Sequence, residues 1–115
     1  MRKFKIYAST SEAQMAEQAE AALADAGIEM RFRCSGGTEE ENARAEAIRA
    51  IAAYDLLKHN APKEAWDKLM DISNTAWWID NRVRMTNGAY DDFMDSVRFD
   101  ERLDWARRFD VDDSI

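Results

Sequence analysis

Ser73-Asn74-Thr75-Ala76-Trp77-Trp78-Ile79-Asp80-Asn81-Arg82 decides how the second half of the chain is read. It closes the longest apolar helical pattern in the sequence. Ala65, Leu69, Ile72, Ala76, Ile79 and Val83 recur at spacings of 4, 3, 4, 3 and 4, a heptad-like seam that predicts one helix of about twenty residues over 62–84. Pro62 suits the first turn of that helix. Trp66, Met70 and Trp77 form a neighbouring row, expected in the core. Trp78 and Arg82 share another face, which leaves Trp78 two readings. It is core if the C-terminal helices cover it, and otherwise an exposed aromatic anchor beside Arg82, residue types enriched in interface hot spots.

Working upstream, Thr38 and Glu41 spell a capping box, and Glu39, Glu40 and Glu41 suit a helix N-terminus. The helix runs to about His59, with an apolar stripe through Ala45, Ile48, Ile51, Ala52 and Leu56. Before it, Ile28, Met30, Phe32 and Cys34 alternate with Glu29, Arg31 and Arg33, the period-2 pattern of a strand. Phe4, Ile6 and Ala8 alternate in the same way. Between these two segments, Met15, Ala16, Ala19, Ala22, Leu23 and Ala26 make a narrow helical stripe. Ser9 with Glu12 offers its capping box, Ser11 with Gln14 a second register, and Gly27 is its expected terminating glycine. Strand, helix and strand predict a βαβ unit.

Downstream, Thr86-Asn87-Gly88 is turn chemistry. Tyr90, Phe93, Met94 and Val97 mark a short helix, and Asp100 caps a second through Leu103, Ala106 and Phe109. The expected fold class is α+β: a small two-stranded βαβ layer followed by three to four helices around a long central helix. Residues 1–109 form one domain, and 110–115 an acidic flexible tail.

The chain has 115 residues and a net charge of −7. Residues 86–115 carry nine acidic and four basic groups, so −5 of that charge lies in the last quarter. Phosphate binding needs a clustered basic patch, so direct nucleic-acid binding is a poor fit and a basic partner a better one. The single cysteine forms no internal bridge, no apolar run approaches membrane length, and the basic start lacks an apolar core. A cytoplasmic protein with no membrane partner is therefore expected.

No catalytic signature stands out. Gly36-Gly37 precedes a helix, but three glutamates in the first turn repel an anion. Cys34 and His59 admit a nucleophile–base pairing, against a buried structural thiol and a surface histidine at a helix end. One histidine and one cysteine give zinc no ligand set, and no segment matches an EF-hand loop, so no metal and no cofactor is expected. The acidic groups Asp91, Asp92, Asp95, Asp100, Glu101 and Asp104, together with Trp78 and Arg82, form the candidate partner-binding set.

Two resemblances add expectations. Lys5-Ile6-Tyr7-Ala8-Ser9 resembles the opening strand of the nucleoside 2-deoxyribosyltransferase family, which implies a nucleotide-binding enzyme using the Ser9, Thr10 and Ser11 loop. Ala76-Trp77-Trp78-Ile79-Asp80-Asn81-Arg82, with the preceding Glu41-Asn42-Ala43-Arg44-Ala45-Glu46-Ala47-Ile48-Arg49, resembles segments of small phage and prophage proteins. That resemblance implies a mobile-element protein. The leading expectation is then a non-enzymatic, DNA-mimic-like inhibitor of a host defence complex, of the anti-CRISPR or anti-restriction kind. Its partner would be a protein with a basic, nucleic-acid-binding surface. A homodimer through the Leu69–Val83 seam or an open sheet edge is a third class.

Overall fold

Thr38 opens the helix on which the rest of the molecule packs. Its hydroxyl accepts the Glu41 N–H at 3.1 Å while the Glu41 carboxylate accepts the Thr38 N–H at 2.9 Å. Two of the four donors that a helix start leaves open are thereby satisfied. The computed structural model describes the backbone of residues 10–30 and 33–113 and the side chains of 12–30 and 33–99. Among the described residues five helices follow one another: α1 (Thr10–Asp25), α2 (Glu39–Lys58), α3 (Lys63–Asp71), α4 (Thr75–Asp80) and α5 (Arg82–Asp113).

The centre is α2. It packs against each of the other four helices, and Ala43, Ala45 and the whole run from Ala47 to Ala53 are buried. A helix buried nearly all round cannot be surface-amphipathic. The alanines let neighbours approach from several sides, and the larger Ile48, Ile51 and Leu56 fill the space between them. The Ala13–Ala16 face of α1 meets Ala47 and Ile51, and a larger cluster fills the other side with Leu69, Trp78, Met85, Phe93 and Val97. Arg44 joins Glu12 of α1 at 3.3 Å.

The expected α+β class is overturned. Among the described residues every element is helical, and the one β-type contact is a parallel bridge between Ser35 and Asn74. The alternation across Ile28, Met30 and Cys34 has another origin. These residues lie on the helical core, with Cys34 buried and Ile28 and Met30 packed against it. One-sided burial against helices gives the same spacing as a strand, so the pattern does not require a β partner. The proposed first strand and its capping residue Ser9 lie outside the described residues. Gly27 does end α1 in the left-handed region, at φ 73°.

The single 62–84 helix is also overturned. It is three helices, because the chain leaves helical geometry at Ile72, with ψ 103°, and restarts at Asn74. The Asn74 side chain accepts the Trp77 N–H at 3.1 Å, a new N-cap inside the heptad pattern. The break is fastened to the loop before α2. The Ser35 N–H donates to the Ser73 carbonyl at 2.9 Å and the Thr75 N–H to the Ser35 carbonyl at 3.0 Å. Asn42 Oδ1 accepts from both the Gly37 N–H at 3.1 Å and the Thr75 hydroxyl at 2.6 Å.

Breaking the helix rotates everything that follows. Ala76 turns outward and Val83 is 67% exposed, while Thr75 and Trp78 turn inward. Of the expected seam, Ala65 and Leu69 are fully buried, Ile72 and Ile79 pack half-buried against the core, and Ala76 and Val83 leave it. Further on, α5 is interrupted at Gly88, with φ 156° and ψ 51°, where turn chemistry was expected. Asp100 lies inside α5, not at the start of another helix, and helical backbone continues through 110–113.

Candidate functional site

Trp78 is 0% exposed, and its Nε1–H donates to the Ile72 carbonyl at 2.9 Å. It satisfies the acceptor left over where α3 ends and stands edge-on to Trp77, ring centroids 5.0 Å apart. Trp78 is thus core and is not presented to a partner. Trp66 and Trp77, expected in the core, are half-buried against it. Arg82 is exposed and folds back to the Ile79 carbonyl at 2.8 Å, so it serves the α4–α5 joint. The two residues expected to form one interface face do different work.

The acidic residues of α5 fare differently. Ala89, Phe93 and Val97 are buried, which fixes the rotation of this part of the helix. Asp91 and Asp95 consequently point to solvent one turn apart, and Asp92 flanks the face, 3.9 Å from Arg84. Arg98 approaches Asp95 at 3.4 Å. Asp100, Glu101 and Asp104 continue along α5. Phe99, 57% exposed, stands beside this face, four residues beyond Asp95. Next to Asp92 lies a cleft of about 430 Å³ between α3, α4 and α5. Ile72, Trp77 and Phe93 contribute apolar lining, and Lys68, Arg84 and Asp92 polar groups.

A second cleft, of about 340 Å³, opens where α5 breaks. Gly88 lines it together with Met15 of α1, Ile51 of α2 and Met85 of α5. The break frees the Tyr90 N–H from its ordinary helical partner, and the Asp55 carboxylate accepts it at 2.9 Å. A side chain of α2 thus caps the second part of α5 and places negative charge at the positive end of its dipole. His59 stacks on the Tyr90 ring at 4.6 Å and 10°, with its Nδ1 3.6 Å from Asp55. Lys58 lies 3.9 Å from the same carboxylate and 4.7 Å above the Tyr54 ring.

Sequence reasoning did not single out Tyr54, Asp55 and Lys58 as a group. A signal existed, because Asp55 stands four residues after Ile51 and seven after Ile48, on the apolar stripe of its own helix. A carboxylate on an inward stripe needs a partner. Cys34 is buried and His59 stacks on α5, so each has its own environment. The Gly37 N–H is committed to Asn42 within the loop. Ser9 lies outside the described residues, and Thr10 begins α1. The parallel sheet whose edge would make Ser9–Ser11 a nucleotide loop is not present among the described residues.

The described residues define an all-helical module with an acidic helical face and two clefts, and no helix among them is long and apolar enough to cross a membrane. Comparison with protein families, with curated proteins and with solved structures finds no match to this chain.

Proposed function

We propose that this chain is a protein-docking module that presents the solvent face of α5 to a basic partner and acts by occupying that partner's surface, without catalysis. The observation that carries the reading is the exposure of Asp91 and Asp95 on one face whose rotation the buried Phe93 and Val97 fix. Asp91, Asp92 and Asp95 place three carboxylates along about 6 Å of helix axis, a mean separation of about 3 Å. Duplex DNA carries one phosphate charge per about 1.7 Å of axis. Arg84 and Arg98 reduce the local excess, so the face is acidic but less densely charged than duplex DNA. The partner is then a protein whose basic surface ordinarily holds nucleic acid. A host nucleic-acid-handling defence complex, the target of a mobile-element inhibitor, is the concrete form of the proposal.

The experiment is capture of binding proteins from the native host by the wild-type chain and by the Asp91→Lys/Asp95→Lys variant, with duplex DNA as competitor. The expected result is a partner retained by the wild type, lost with the variant and displaced by DNA. Retention of the same partner at unchanged affinity by the variant would sink the proposal.

A further inference from the structure

We propose that the cleft at the Gly88 break is a binding site for a free α-amino acid with an apolar side chain. The head group is specified by charge. Asp55 and Lys58 stand 3.9 Å apart with side chains 19% and 53% exposed, and both line the cleft. An α-amino acid carries an ammonium and a carboxylate on one carbon, so it answers both charges of the Asp55–Lys58 pair at once. A simple anion would face the Asp55 carboxylate, and a simple cation the Lys58 ammonium.

Both groups are held before any ligand arrives. The Tyr90 N–H at 2.9 Å fixes Asp55, and the Tyr54 ring carries Lys58. Asn87 donates its amide nitrogen to the Val83 carbonyl, which leaves its side-chain oxygen to accept from an ammonium.

The side chain is specified by the floor. Met15, Ile51 and Met85 are apolar, and two of them are methionines that adapt to irregular guests. The space beside Gly88 is open, since a Cβ built there would meet no heavy atom within 4 Å. A volume near 340 Å³ is at the small end of ligand clefts and suits an amino acid better than a nucleotide.

The test is a ¹H–¹⁵N NMR titration of the full chain with L-leucine and L-methionine. Saturable shifts are expected at the amides of residues 54–58 and 85–90. Isocaproate and 3-methylbutylamine, which each lack one charge of leucine, are expected to bind at least tenfold more weakly. Lys58→Gln and Asp55→Asn, each checked for an otherwise unchanged spectrum, are expected to lower leucine affinity at least tenfold. Absence of saturable shifts up to the solubility limit of leucine overturns the proposal. So does binding centred on other residues, isocaproate or the amine binding as tightly as leucine, or unchanged leucine affinity in either variant.

Discussion

Trp78 shows how much one residue settles. Its indole fills the space between α2 and the joined ends of α3 and α4, and its N–H occupies the carbonyl of Ile72, where α3 stops. Truncation removes the largest fully buried side chain among the described residues and also strips a partner from that carbonyl. Trp78→Ala is expected to cost about 3–5 kcal/mol, and Trp78→Phe less, chiefly the hydrogen bond at about 1 kcal/mol. Urea denaturation of the two variants measures both. Equal losses would show that the N–H and not the ring volume dominates.

Gly37 offers a second case at the same scale. Its Cβ would sit 3.0 Å from Glu41 Cβ and 3.0 Å from Thr75 Cγ2, and Thr75 is itself held by Asn42. Gly37→Ala is expected to destabilise by about 1–3 kcal/mol, the usual cost of overpacking. In a thermal melt that loss should be partly recovered by Thr75→Ser, which deletes the opposing methyl and keeps the hydroxyl.

At the scale of elements, the molecule is built by interrupting helices and capping the restarts. Asn74 caps α4 from within the chain, while Asp55 caps the second part of α5 from another helix. Asp55→Ala leaves the Tyr90 N–H without its acceptor, so a loss of about 1–3 kcal/mol is expected. Faster amide exchange at Tyr90 and Asp91 should accompany it. Asp55→Asn keeps an oxygen in place and should recover most of that loss. A protected Tyr90 amide in Asp55→Ala would refute the capping role.

The local signals of these joints were written in the sequence: Thr38 with Glu41, Gly27 at the end of α1, and Gly88 as an interruption. What periodicity could not reveal is which of two competing signals wins. Over 62–84 the heptad spacing outlasts the helix, because Ser73-Asn74-Thr75 gains hydrogen bonds from the loop at Ser35 and Asn42 that a continuous helix could not make. The spacing at Ile28, Met30 and Cys34 likewise reports one-sided burial, and a single chain cannot say whether helices or strands provide the covering surface. For the same reason Asp91 and Asp95 were legible as exposed acids. Asp55, Lys58 and Gly88, by contrast, come together only through the packing of α2 on α5.

For the whole molecule, charge and stability are separable. The residues that hold the fold are the alanine-lined α2 and the apolar clusters on its sides, and the excess negative charge lies mostly in the last quarter, −5 of −7. Exposed ion pairs such as Arg98–Asp95 contribute little to folding. Substitution of exposed Asp91 and Asp95 should therefore shift unfolding free energy by no more than about 0.5 kcal/mol.

The proposed docking has the opposite dependence, since it would rest on attraction between opposed charged surfaces. The screening length falls from about 10 Å at 0.1 M salt to about 3 Å at 1 M. Raising salt over that range is expected to weaken partner binding at least tenfold, mainly by slowing association, while the melting temperature moves by only a few degrees. Surface plasmon resonance across the salt series, run beside thermal melts of the same samples, separates the two. Binding that persists unchanged at 1 M salt would mean that apolar contacts, such as those Phe99 or the Trp77 cleft could make, carry the interaction instead of the acidic face.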